Sequence, residues 1–281
     1  MVRCRGCGLL KTWPAPGAQV LEQAYERPSY FGTRTDGARE AWAGRGQHLL
    51  AMFPRPPATM LDFGAGEGHL VRALRDAGID AHGVEPSPAA RANAAREQGV
   101  ELVASVGDLA TRQFDAVTML HSLEHVEDPL ATLRELRELL RPGASLYIEV
   151  PHAGSADMLI GRSRRAILDL PVHLHHFTPR TLTHVVEQAR CSIVATQRFN
   201  ALPVEAAIRL RAGRRSSQTA AAARNPSQLP AAAGARAAGD GERLMAMVRR
   251  VLPGWKFWVV ARADGYSARA PRDRRAPHAP P

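Results

Sequence analysis

Three glycines stand at alternate positions in Leu61-Asp62-Phe63-Gly64-Ala65-Gly66-Glu67-Gly68-His69-Leu70, between an apolar run and an amphipathic one. A stretch this bare joins a buried strand to a helix and lets the backbone pass close to a ligand, with φ above zero at little cost. The flanking sequence then fixes the class of fold. "PRPP" at residues 54–57 is a stop, and "TMLDF" after it reads as a short buried strand. "GHLVRALRDAG" reads as an amphipathic helix closed by Gly78, and "DAHGVE" as a second strand. "SPAARANAAREQG" is a helix with Ser87 as cap, Pro88 in its first turn and Gly99 as stop. "VELVAS" reads as strand three and "FDAVTML" as an apolar strand four, followed by the helix "DPLATLRELRELLRPG" and strand five, "ASLYIEV". A helix from Thr178 to about Ala189, strand six in "CSIVATQRF" and strand seven in "WKFWVVARA" complete the series. Strands alternating with helices predict an α/β, doubly wound, mostly parallel sheet with helices on both faces.

The loop's spacing narrows its ligand. A dinucleotide loop would read G-x-G-x-x-G and a P-loop would end in Gly-Lys-Ser/Thr. Here the order is Asp-x-Gly-x-Gly-x-Gly, and Asp62 would repel a pyrophosphate. A ligand carrying an ammonium beside a carboxylate suits the site better: Asp62 takes the first and the helix N-terminus favours the second. Glu85 ends the second strand, 23 residues after Asp62, where a carboxylate can accept both hydroxyls of a ribose. An amino acid joined to a nucleoside, such as S-adenosylmethionine, fits both. The plainer reading, in which the glycines only permit a tight turn and Asp62 caps the helix, stays open for the loop taken alone.

With these motifs in order, the sequence resembles the class I S-adenosylmethionine-dependent methyltransferases, in their small-molecule branch. The carriers are "LDFGAGEGHL", "GVEPS", "VGDL" before "FDAVTMLHSLEHVEDP", "LLRPGASLYIEVP" and "HLHHFTPRTL". The resemblance implies a Rossmann-like seven-stranded sheet whose last strand, "WKFWVVAR", runs antiparallel. It implies that Asp62, Gly64, Gly66, Gly68 and Glu85 bind the cofactor, that Gly107-Asp108-Leu109 lies against its adenine, and that His121 lies beside it. Asp108 could equally cap a turn. A nicotinamide-dependent oxidoreductase and a non-catalytic binding protein are the rival readings; the glycine spacing opposes the first.

A methyl acceptor would sit at the carboxyl ends of the strands, next to "HSLEHV" and "HLHHF". An oxygen acceptor needs a base, and His125 and His176 are the preferred candidates among His125, His173, His175 and His176; packing is the alternative for each. His-x-His-His has no carboxylate or cysteine at ligand spacing beside it, so no metal is expected there. Cys4-x-x-Cys7 resembles half of an N-terminal zinc-binding segment of some relatives, and two thiolates do not close a tetrahedral site. Three cysteines without a disulfide pattern point to a reducing, cytoplasmic setting.

The net charge of +10 is unevenly placed. Residues 1–208 carry 22 basic and 23 acidic side chains, and residues 209–281 carry 15 basic and four acidic ones. Thirty-five of the 37 basic residues are arginine, alongside abundant alanine, which argues for compositional bias rather than a nucleic-acid surface. The expected organisation is a cap segment with a partial CxxC at 1–57, a cofactor-binding core at 58–212, a flexible low-complexity insert at 213–241, a helix and last strand at 242–264, and a disordered basic tail at 265–281. The expected partner is a small-molecule acceptor, with no nucleic acid and no membrane; the sequence leaves the oligomeric state open.

Overall fold

The computed structural model describes residues 1–25, 38–53, 55–154, 168–199 and 256–264. The low-complexity insert and the basic tail lie outside the described residues. The chain opens with a hairpin of β1 (Val2–Arg3) and β2 (Leu10–Lys11), followed by helices α1 (Ala18–Tyr25) and α2 (Ala38–Leu50). Then β3 (Thr59–Phe63), α3 (His69–Asp76), β4 (Asp80–Val84) and α4 (Pro88–Asn93) alternate, with α4 continuing into a π-helical turn at Ala94–Gln98. A 3₁₀ turn, Val106–Leu109, precedes β5 (Phe114–Leu120), α5 (Pro129–Glu138) and β6 (Leu140–Pro151). The short β7 (His175–His176), α6 (Pro179–Gln188), β8 (Cys191–Phe199) and β9 (Lys256–Ala263) complete the described elements.

The main sheet has the order β4-β3-β5-β6-β9-β8. Strands β3 to β6 pair in parallel, and β9 runs antiparallel to both β6 and β8, as the resemblance implies. Side chains on a strand alternate between faces, so a sheet covered on both sides needs apolar residues at consecutive positions. That is what these strands carry. Leu61, Val117, Leu146 and Phe257 enter one buried cluster, and their immediate neighbours Met60, Ala116, Tyr147 and Trp258 enter the other. Helix α3 adds Leu70, Val71 and Leu74 to the second cluster. Truncating any one of the fully buried leucines to alanine costs about 2–5 kcal/mol.

The helix starts follow from their caps. Ser87 Oγ accepts from the Ala90 amide at 3.2 Å. Asp128 Oδ1 accepts from the Leu130 and Ala131 amides at 3.0 Å each, with Pro129 in the first turn. Thr178 caps α6 in the same way.

Two expectations are corrected. The described sheet has six strands, because "VELVAS" pairs at a single bridge, Val84 with Val103. The Ser105 amide is captured by Asp108 Oδ2 at 3.0 Å, which turns the chain out of the ladder after that one contact. The first residues, expected only as a cap segment with a partial CxxC, form part of a second, three-stranded sheet of order β1-β2-β7. Gly8, with φ of 80°, closes the turn between β1 and β2, and the Cys4 amide donates to the Leu9 carbonyl at 2.8 Å. Among the described residues no helix is long and apolar enough to cross a membrane.

Candidate active site

The loop after β3 places all three glycines at positive φ: 77° at Gly64, 54° at Gly66 and 76° at Gly68. At Gly64 the need is doubled, since a Cβ would come 2.4 Å from Ser122 Oγ and 2.7 Å from Ser122 Cβ. The loop's amides, however, are engaged inside the protein. Gly64 and Ala65 both donate to the Val84 carbonyl, at 2.8 and 2.9 Å, and Gly66 donates to Glu85 Oε2 at 2.8 Å. The loop therefore offers close approach rather than a row of unused donors, which narrows the role expected of it from sequence.

Asp62 and Glu85 flank this loop, and both are buried. Asp62 accepts from Thr118 Oγ1 at 2.9 Å across β3 and β5, and burial pushes its pKa up to about 7. Glu85 accepts from Gly66 through Oε2 and from the Ser87 amide through Oε1 at 2.9 Å. Burial raises its pKa too, opposed by those two amides. Each carboxylate oxygen has two acceptor sites, so one remains on each for a ligand hydroxyl.

Two of the remaining predicted cofactor residues stand differently. Asp108 is exposed, and its Oδ2 accepts from the amide and hydroxyl of Ser105, at 3.0 and 3.1 Å, as the cap of the 3₁₀ turn. The Leu109 side chain is buried in the first core cluster, so it is a packing residue, and any contact from this stretch to a ligand would come from its neighbours or its backbone.

Beyond β5 the chain turns at His121, whose φ is 54°. Its Nε2 lies 3.1 Å from Glu149 Oε1 and its Nδ1 lies 3.3 Å from Glu124 Oε1. Burial opposes protonation of this ring, but the two carboxylates together outweigh it, and the pKa is raised. Glu149 is also paired with Arg45 of α2 at 2.8 Å and with the Tyr147 hydroxyl at 3.2 Å. Glu124 is 1% exposed, and neither of its oxygens accepts a directed hydrogen bond among the described residues. His125 Nδ1 donates to the Val172 carbonyl at 3.0 Å, and its ring packs edge-on against His173 with centroids 4.7 Å apart. Burial lowers the His125 pKa.

His176 lies beside His173, with ring centroids 6.5 Å apart, and has its own partner. Thr12 Oγ1 donates its proton to the His173 carbonyl at 2.7 Å, so at 2.9 Å it accepts from His176 Nε2. This bond, 3% exposure and the pairing of β7 with β2 tie the ring into the N-terminal hairpin. Burial pushes its pKa down to about 4, too low for an effective base near neutral pH. Its ring is packed and bonded as part of the small sheet.

Residues 36–196, more than half of the chain, match the methyltransferase domain family. The chain is a member of that family. The methyltransferase domain is 36% identical over 143 residues to a ubiquinone biosynthesis O-methyltransferase of Xanthomonas campestris pv. campestris (strain B100). That alignment takes in 46% of this chain and 59% of the relative, so the chain spans less than two thirds of its length. Among solved structures, a SAM-dependent methyltransferase from Archaeoglobus fulgidus superposes with a TM-score of 0.55 at 18% identity, covering 88% of this chain and 100% of that one. The magnesium protoporphyrin IX methyltransferase of Synechocystis PCC 6803, solved with bound SAH, gives 0.51 at 13% identity, covering 88% and 99%. At such identities the likeness is one of fold.

Within the methyltransferase domain, the structure brings Asp62, the three glycines, Glu85 and His121 to the carboxyl ends of β3, β4 and β5, where ligands of such sheets bind. Sequence reasoning missed Glu149 and Arg45. The signal for Glu149 was present, a carboxylate inside the apolar run "ASLYIEV" of a buried strand, since such a charge needs a partner. Arg45 carried no signal, because its partner lies 104 positions away.

Proposed function

We propose that this chain is an S-adenosylmethionine-dependent methyltransferase acting on a hydroxyl oxygen of a small molecule. The observation that carries this reading is the buried Glu85 carboxylate at the end of β4, anchored by Gly66 and Ser87 and keeping one acceptor site on each oxygen. That is the pair of acceptors a ribose diol requires, beside a loop whose glycines let the backbone approach. Membership in the methyltransferase family supports the cofactor, and the name of the Xanthomonas relatives supports an oxygen acceptor.

Asp62 and Glu85 would hold the cofactor's ammonium and ribose. Bound there, S-adenosylmethionine supplies an electrophilic methyl group on a sulfonium with a good leaving group. The protein's share is alignment of the acceptor, which can be worth several kcal/mol, and a destination for the hydroxyl proton. His125 is the acceptor-side residue: its Nδ1 is committed to the Val172 carbonyl, which leaves the neutral ring's lone pair on Nε2.

The direct test is calorimetry with S-adenosylhomocysteine and, separately, NAD. Micromolar binding of the first and none of the second supports the proposal; the reverse result overturns it. Once an acceptor is in hand, His125→Ala should lower turnover by about 10²-fold while leaving affinity for S-adenosylhomocysteine unchanged. Full turnover in that variant removes His125 from the acceptor side.

Burial of Asp62 adds a pH dependence. Its pKa near 7 means that the ligand-free protein holds this carboxyl partly protonated at neutral pH. An ammonium binds the ionised form, so affinity is present in full above pH 7 and is lost as the pH falls through that value. Between pH 7 and 5.5, where the ligand's α-amino group stays protonated, affinity should fall by up to roughly tenfold per pH unit. Asp62→Asn should bind more weakly throughout and flatten the profile. An equally steep profile in that variant assigns the titration to another group.

A further inference from the structure

The geometry points to a binding site for one divalent transition-metal ion, of the zinc class, formed by Glu124, His125 and His173 at the acceptor side of the crevice. These three residues each offer one ligand atom, and the three atoms lie within 4.8 Å of one another. Glu124 Oε1 and His173 Nε2 are 4.0 Å apart. Ligands around a tetrahedral zinc with bonds of about 2.0–2.1 Å stand roughly 3.3 Å from each other, so side-chain rotations on the order of 1 Å close the set. Two imidazoles and one carboxylate are a donor set that such ions accept, and three protein ligands leave the fourth position open.

The donors are held from two segments that the backbone clamps together. The amides of Leu174 and His175 both donate to the Glu124 carbonyl, at 2.8 and 3.0 Å. The Val172 carbonyl takes the proton of His125 Nδ1 at 3.0 Å, which sets the tautomer in which Nε2 is the ligating atom. Glu124 supplies the anionic ligand. It is 1% exposed, His121 Nδ1 lies 3.3 Å and His173 Nε2 4.0 Å from its Oε1, and neither oxygen accepts a hydrogen bond of good geometry among the described residues. A cation between this carboxylate and two imidazoles would add to the ion pair that His121 already makes with it.

Local spacing along the chain does not reveal the site around His173. Glu124 and His125 precede it by nearly fifty residues, and only the fold brings them to its side. With the metal bound, His125 Nε2 would serve as a ligand in place of acting as the base, and the open position would take the acceptor's hydroxyl oxygen and lower its pKa; that role rests on the methyl-transfer reading, whereas metal binding itself does not.

The test uses the full chain carrying Cys4→Ser and Cys7→Ser, so that the thiols of the N-terminal hairpin cannot compete. After chelator treatment, cobalt(II) is titrated by visible absorbance and zinc by calorimetry. The expected result is about one equivalent of each metal, with the visible bands of a low-coordinate cobalt ion. Glu124→Gln and His173→Ala should each weaken binding by at least about 100-fold, a loss beyond the 10–100-fold typical of outer-shell residues. Retained S-adenosylhomocysteine binding shows that each variant is folded. Should the variants fail to fold, zinc protection of His125 and His173 from diethylpyrocarbonate, mapped by mass spectrometry in the Cys4→Ser/Cys7→Ser protein, decides the matter. No metal binding below millimolar concentration, stoichiometric binding that survives both substitutions, or unprotected histidines overturns the site. Intact S-adenosylhomocysteine binding without metal sinks this inference alone; metal binding without S-adenosylhomocysteine sinks the methyl-transfer reading alone.

Discussion

Replacing Glu85 with alanine should weaken binding of S-adenosylhomocysteine by about 10²- to 10⁴-fold. Two charge-assisted hydrogen bonds to a ribose are worth about 1.5–3 kcal/mol each, and water entering the gap recovers part of that. The substitution also frees the Gly66 and Ser87 amides, the two ties between the glycine loop and the start of α4. Glu85→Gln separates these contributions. Its carbonyl oxygen still accepts one amide, and its NH₂ group turns the other contact into a donor facing a donor. The glutamine variant should therefore sit closer to alanine than to wild type in affinity, with a smaller loss of thermal stability. Calorimetric affinity that is unchanged in Glu85→Ala would remove the ribose from this site, and with it the main support for a nucleoside cofactor.

Gly64→Ala should destabilise the whole domain. The residue sits at φ 77°, where an L side chain costs about 1–3 kcal/mol, and its Cβ would overlap both heavy atoms of the Ser122 side chain. Overpacking of this kind adds about 1–3 kcal/mol. The combined loss corresponds to a fall of roughly 10 °C in melting temperature for a domain of this size, with cofactor binding lost together with the loop's shape. A second substitution divides the effect into its causes. Ser122→Gly removes the obstructing atoms and leaves the backbone conformation alone, so the double variant should recover the packing part and retain the dihedral part. A single Gly64→Ala variant with wild-type melting temperature and affinity would mean that the loop does not hold this conformation.

The cofactor half of the site was legible because its chemistry is local in the chain. A buried strand, a glycine loop and a helix start are consecutive, and each is written in residue type: apolar runs, alternating glycines, and the caps Ser87, Asp128 and Thr178. Glu85 belongs to the same unit, since its place at the end of the next strand follows from one strand–helix–strand repeat. The parallel order and the apolar faces follow equally from pattern, because a sheet covered on both sides leaves consecutive strand residues no polar neighbourhood to face.

What tertiary structure alone decided is the ionic and histidine-rich half. His121, Glu124, Glu149 and Arg45 become one network because β5 and β6 lie side by side and Arg45 of α2 reaches Glu149. The strand called from "VELVAS" failed for a related reason: a single carboxylate, Asp108, took the Ser105 amide that a ladder would have used. His125 and His176 carry the same ring and the same expectation from sequence. One faces His173 and Glu124, and the other is bonded to Thr12 of a hairpin that opens the chain. Residue type determines which chemistry a side chain can perform and local pattern determines the element that carries it. Its protonation state and its partners depend on what is buried beside it, and contacts between distant segments set that only when the chain closes on itself.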